Sequence, residues 1–204
     1  MKANVAGIIG ALASVALTAA LAVGQSQATP PSSQSQAAQQ PAQMPASPEA
    51  NPADVSSQDA ILKALYDVIS GPAGQKRDWN RMRSLFLPGA KMIPTGPRPG
   101  GGFGVRMLNV DDYVSRADSL FEKEGFFENE VARRVDEWGH IAQVFSTYES
   151  RHGKGEKPFA RGINAILLHN DGKRWWIAAI MWEAERPDQP LSERMLKSPE
   201  KKQP

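Results

Sequence analysis

The stretch "GINAILLHNDGKRWWIAAIMWEAE", Gly162 to Glu185, constrains this chain more than any other. Two apolar runs flank Asp171-Gly172, a dipeptide typical of two-residue hairpin turns. With those two residues as the turn, Asn170 opposes Lys173, Leu168 opposes Trp175, Asn164 opposes Ala179 and Gly162 opposes Met181. Ile177 and Glu183 then share the face of Asn164. The opposite face carries Arg161, Ile163, Leu167, Trp176, Ile180 and Trp182, with Arg161 directly across from Trp182. Both faces are apolar, so both need a cover. Helices are expected on one, and a second copy of the chain on the other through Trp176, Ile180 and Trp182, making a homodimer.

The rest of the chain supplies those helices. "SSQD" at residues 56–59 has the form of a capping box, and Ile61, Leu65 and Val68 or Ile69 follow on one face. Gly71-Pro72 ends that helix. "DWNRMRSLF" reads as a second, short helix with Trp79, Met82 and Phe86 inward, and "AKMIPT" as a short strand. Asn109 caps a third helix in which Val114, Ala117 and Phe121 are in phase, with Gly125 beyond its end. After Gly125 the period changes, and "FENEVARRVD" and "HIAQVFSTYES" join the two hairpin runs as four strands. Helices followed by an antiparallel meander make an α+β fold.

The ends read differently. Lys2 precedes an apolar run from Val5 to Val23, and Ser26-Gln27-Ala28 has the small-x-small form of a signal peptidase site. Residues 1–28 are expected to be a cleaved signal peptide, giving a periplasmic or secreted protein with no stable membrane insertion after cleavage. An uncleaved anchor is the competing reading, since the run is nearly long enough to span a bilayer. There is no cysteine, which excludes a lipidated cysteine anchor and any disulfide framework. Without residues 1–28 the chain loses one base, Lys2, and no acid, leaving 23 bases against 22 acids. That balance speaks against a nucleic-acid partner. Residues 29–55 lack aromatics, Leu and Ile and are expected to be a disordered linker; 188–204 is expected to be a disordered tail. One domain, 56–187, must hold the function.

"PTGPRPGGGFGVR", Pro94 to Arg106, carries five glycines. A phosphate cradle needs a helix directly after the glycines and usually a Lys-Ser/Thr pair. Here the next helix opens only near Asn109 and no such pair occurs, so the stretch reads as a flexible connection.

The order of helices, short strand, third helix and four-stranded meander resembles the SnoaL-like branch of the nuclear-transport-factor-2-like superfamily. "DWNRMRSLFLPGAKMI", "VARRVDEWGHIAQVFSTYESR" and "RGINAILLHNDGKRWWIAAIMWEAE" carry the resemblance, over roughly residues 56–186. It implies a cone-shaped fold, N-terminal helices packed on a curved antiparallel sheet around a pocket, and places the glycine-rich stretch at the pocket mouth as a mobile rim or lid. Members include ketosteroid isomerases, dehydratases, polyketide cyclases and pure binding proteins, and fold does not choose among them. In the isomerase-like members a catalytic carboxylate ends the strand after the second helix. Met92, Ile93 and Pro94 stand there in this chain.

Four residues are candidate ligand contacts. Asn164 sits mid-strand among apolar neighbours, where a buried amide must find partners in the protein or in a ligand. Tyr148 offers a phenol, and Glu183 a carboxylate on the computed face of Asn164. Arg133 alternates with Val131 and Val135, although an edge-strand arginine more often reaches out to water. No catalytic residue is assigned. The three histidines, His140, His152 and His169, lack metal-ligand spacing, so neither a metal nor another cofactor is expected. The reading is an exported protein that binds a small hydrophobic molecule or a partner; the alternative is a lyase- or isomerase-like enzyme acting through Asn164, Tyr148 and Glu183.

Overall fold

The computed structural model describes residues 46–199. The expected signal peptide, the first part of the linker (29–45) and the end of the tail (200–204) lie outside the described residues.

Three helices cover one face of a six-stranded sheet. The helix α2 (Gln58–Ile69) starts at Ser57, whose side chain accepts from the Ala60 amide, and buries Ile61, Leu65, Val68 and Ile69. The short α3 (Trp79–Leu85) is capped by Asp78. Asn109 and Asp112 form a capping box at the start of α4 (Val110–Glu124), which buries Val114, Ala117 and Phe121. Gly125 ends α4 with φ 71, so a side chain there is strained by its own backbone and would meet the His152 carbonyl as well.

The strands β1 (Phe86–Pro97), β2 (Phe103–Val105), β3 (Phe127–Trp138), β4 (Ile141–Arg151), β5 (Ala160–Asn170) and β6 (Trp175–Ala184) stand in the order β2-β1-β6-β5-β4-β3. The meander β3 to β6 is antiparallel. The first strand departs from the expected all-antiparallel sheet: it is longer than "AKMIPT" and pairs parallel to β6. The core lies between the helices and the inner face, with Ile61, Leu62, Met82, Leu85, Val144, Ile166, Leu168 and Ile177 essentially inaccessible.

The hairpin register differs from the one expected. Asp171-Gly172 does not form a two-residue turn; the last pair is Asn170 with Trp175, so four residues make the loop. The Asp171 carboxylate explains it, accepting from the amides of Lys173 and Arg174 at 2.8 and 2.9 Å and from Trp176 Nε1 at 2.8 Å. A bulge then inserts Ala178, because Leu168 pairs with Ile177 whereas Leu167 pairs with Ala179. Past the bulge Asn164 pairs with Trp182 and Ile166 with Ile180, both on the helix-covered face. The stripe expected from Trp176, Ile180 and Trp182 is therefore not one surface, since Ile180 is core and Trp182 packs against it. Arg161 does not lie over Trp182; it is forked onto Glu185 at 2.8 and 3.1 Å. Glu183 faces outward, opposite Ile163, away from Asn164.

Short helices also stand on either side of residues 56–187. Residues 52–55 form a one-turn helix, α1 (Pro52–Val55), in which Val55 is buried and Asp54 is forked onto Arg81 at 2.7 and 2.9 Å. At the other end α5 (Glu193–Leu196) lies against β3 and β4, where Thr147 donates to the Met195 carbonyl and the Arg133 amide donates to Ser198 Oγ at 3.0 Å. These described parts of the linker and tail are ordered because a few apolar and charged side chains dock on the finished domain.

The glycine-rich stretch is a β-hairpin. Strands β1 and β2 pair from Thr95–Val105 to Pro97–Phe103, and Gly100, Gly101 and Gly102 all have positive φ in the turn between them. Phe103 packs under Arg186, and none of residues 94–106 lines the inner cavity described next. The hairpin therefore forms no part of the inner cavity wall, and its Thr95 faces the outer groove instead.

Candidate functional site

Two concavities matter. A groove of about 360 Å³ runs on the outer face, between Phe145, Ile163, Ala165 and Met181 and the segment from Gln189 to Met195. Its two carboxylates are already used, Glu183 by Arg186 and Glu185 by Arg161. The other, about 270 Å³, lies between the helices and the inner face of the sheet. It is near the lower end of ordinary ligand pockets, roughly 300–1,000 Å³. Its lining is largely apolar, with Leu65, Ile69, Met92, Phe121, Ile180 and Trp182 among the walls.

The polar groups of this cavity converge from four elements. The short extended run Phe127-Glu128-Asn129-Glu130 opens β3, and its alternation turns Glu128 and Glu130 to the same side, opposite Ser150 and Tyr148 of β4. A bulge at Val131 follows, between Glu130 and Ala132. Among the described residues Glu128 is the one carboxylate in the cavity wall, and it accepts from Ser150 Oγ at 2.7 Å and from Asn164 Nδ2 at 3.3 Å. Removal from water pushes this carboxyl up to about 7, against the two hydrogen bonds that favour its charged form. It therefore holds or releases a proton near neutrality.

Asn164 Nδ2 also donates to Tyr66 Oη at 3.1 Å, and Tyr66 Oη lies 2.6 Å from Ser146 Oγ. Three phenols stand near enough to feel the Glu128 charge: Tyr66 of α2, Tyr113 of α4 and Tyr148 of β4. Burial, then the Glu128 charge, raises all three well above the usual phenol value, so they remain donors. The Tyr113 and Tyr148 hydroxyls have no hydrogen-bond partner among the described residues. Tyr113 meets Trp182 edge-on, with ring centroids 6.1 Å apart. The arrangement offers one proton-exchanging carboxyl and two phenol donors inside an apolar wall.

Of the residues singled out in the sequence, Asn164 and Tyr148 line this cavity. Glu183 does not; it lines the outer groove and pairs with Arg186 at 2.6 Å. Arg133 does not line it either, and rather than snorkelling to water it is half-buried against Glu130 and Asp59. Sequence reasoning missed Glu128, Tyr66 and Tyr113. A signal existed for Glu128: it and Glu130 are acids at alternate positions entering a strand with apolar neighbours. Of Met92, Ile93 and Pro94, the acid-free stretch noted in the sequence, Met92 is in the cavity wall, and the carboxylate of that wall comes from β3.

No family model matches the chain, and no curated protein matches it. Solved structures of related shape include an NTF2-like protein of unknown function from Shewanella baltica (14% identity, 62% of this chain and 89% of that one, TM-score 0.45). Another, from Silicibacter pomeroyi, is also an NTF2-like protein of unknown function (14% identity, 64% and 94%, TM-score 0.43). A third is a candidate dehydratase of the NTF2-like family from Streptomyces avermitilis (15% identity, 65% and 96%, TM-score 0.47). The likeness concerns the fold alone, an α+β domain with helices on one face of a curved, open sheet.

Proposed function

We propose that the inner cavity binds a small, mainly apolar molecule carrying one oxygen acceptor, and that Glu128 exchanges a proton with it. The observation that carries this reading is the placement of Glu128: among the described residues it is the one carboxylate of the cavity wall, its proton affinity is raised to about 7 by burial, and the Tyr113 and Tyr148 hydroxyls beside it have no partner there. A general acid–base works best with its proton affinity near the working pH. Phenol donors beside it suit a carbonyl or hydroxyl oxygen on which charge develops. The reaction class is lyase- or isomerase-like, on a substrate small enough for about 270 Å³.

Incubating the protein in deuterated water with a panel of small apolar ketones and enones tests this. Deuterium should enter beside the carbonyl, and Glu128→Gln should abolish the exchange. Binding without exchange would establish the second reading, a non-catalytic carrier. That reading draws on a specific observation: Asn164, Tyr66, Ser146 and Ser150 are turned on one another or on Glu128.

The same proposal places the protein in the SnoaL-like branch, exported with cleavage after Ala28, and dimeric through the outer sheet face. The apolar run near the N-terminus supports export, and Phe145, Leu167 and Met181, each about two-fifths exposed, support the dimer. N-terminal sequencing should return Thr29.

A further inference from the structure

The geometry points to Glu130, held by Arg133, as a positioning residue: it fixes the direction of a buried hydrogen-bond chain and thereby which atom Asn164 turns on Glu128. The chain starts at the ion pair. Arg133 Nε lies 2.7 Å from Glu130 Oε2, and Arg133 Nη1 reaches Asp59 of α2. A salt-bridged carboxylate can only accept, so the 2.5 Å contact with Ser146 Oγ must be a donation by Ser146. The serine proton is then spent, and Ser146 Oγ must accept from Tyr66 Oη at 2.6 Å. That spends the phenol proton in turn, and Tyr66 Oη can only accept from Asn164. The amide nitrogen, not the oxygen, must therefore face Tyr66 at 3.1 Å, and its second hydrogen reaches Glu128 Oε1 at 3.3 Å. Each group in the sequence has one choice once Glu130 is a carboxylate. Ser146 is inaccessible and Asn164 is only 7% exposed, so water cannot readily replace a lost partner.

Reversing the first link reverses the rest. In Glu130→Gln the new amide can donate to Ser146, Ser146 to Tyr66, and Tyr66 to the oxygen of a flipped Asn164. Glu128 then loses one donor to its charged form. A plain charge effect has the opposite sign, because removing a nearby negative charge makes a carboxyl ionise more easily. The direction of the change separates the two accounts.

The other groups around Glu128 are Tyr66 and Asp67 of α2, Tyr113 of α4, Tyr148 and Arg151 of β4, and Lys154 and Glu156 of the following turn. None of them changes in the test. The inference rests on Glu128 being the working group of the cavity, but its test reads titration and not turnover, so either can fail without the other.

The experiment is isotope-edited NMR titration of the glutamate carboxyls, with Glu128 assigned by its disappearance in Glu128→Gln. The titration midpoint of Glu128 should rise by about half a unit to one unit in Glu130→Gln, the size expected for one long hydrogen bond to a charged group. Ser146→Ala, which removes only a hydroxyl, should raise it similarly, and the double variant should raise it no further than either alone. Ser146→Ala carries the test if Glu130→Gln does not fold. A fall in Glu130→Gln, an unmoved midpoint in folded Ser146→Ala, or additive shifts overturns the assignment.

Discussion

Glu128 and Ser150 stand directly opposite each other on β3 and β4, and the serine hydroxyl donates to the carboxylate at 2.7 Å. That bond favours the charged carboxylate, yet removal from water outweighs it and pushes the carboxyl up to about 7. An acid whose proton affinity is raised by folding weakens the fold once its unfolded form ionises. The penalty is absent below about 4.5, grows as pH rises, and is complete above about 7.

Glu128→Gln should therefore stabilise the protein above neutrality by about 1–3 kcal/mol, and the gain should vanish below about pH 4.5. Urea unfolding of both proteins at several pH values measures it. Equal stability across the range would mean that the carboxyl is solvated.

Gly162 sets how close β5 can come to Tyr148. It pairs with Tyr148 on one side and Ala184 on the other, and a Cβ there would lie 2.2 Å from the Glu183 carbonyl and 2.6 Å from Tyr148 Oη. Gly162→Ala must move backbone or displace the phenol. We expect a loss of about 1–3 kcal/mol, with altered ligand binding in the cavity, read by denaturant unfolding and titration of a bound probe. Full retention of both would show that the ring has room to yield.

Arg77 is buried without a carboxylate partner among the described residues. Its guanidinium donates to the carbonyls of Ile69, Gly71 and Phe121 at 3.0, 2.6 and 3.3 Å, tying the ends of α2 and α4 together. Arg77→Met leaves those carbonyls unpaired and should cost about 2–4 kcal/mol. Arg77→Lys should recover only part, since an ammonium cannot span three diverging acceptors. Ile69 and Phe121 also line the cavity, so ligand affinity should fall with stability.

The helices were legible because each carries its own punctuation: Ser57, Asp78 and Asn109 start them, and Gly125 closes the last. The α+β class and the four-stranded meander followed from the change of period at Gly125, whereas the parallel place of β1 beside β6 did not. The register did not, because it hangs on two details the period-two pattern does not carry, the Asp171 carboxylate organising a four-residue loop and the extra residue Ala178. That error sent Glu183 to the wrong face and Trp182 away from the cavity. Arg133 and Glu128 have the same origin: which side of β3 each faces depends on the bulge at Val131, which only the pairing with β4 reveals. The docking of α1 and α5 was illegible for another reason. Four-residue helices have no stability of their own and exist only on a surface that is already folded.

The outer sheet face bears on assembly. The segment ending in α5 covers part of it, over β3 and β4, and leaves Phe145, Leu167 and Met181 on the middle strands 38%, 44% and 41% exposed. Leu167 pairs with Ala179 and Gln143, small or neutral neighbours, so the patch has no charge at its centre to repel an identical one. A two-fold contact brings the same residues together from both copies. Leu167→Glu would place two carboxylates in that contact while leaving the inner core untouched. Light scattering of the chain lacking residues 1–28 should give a dimer, and Leu167→Glu a monomer with an unchanged circular dichroism spectrum. A parent that stays monomeric at high concentration would leave α5 and its flanking segment as sufficient cover for the face.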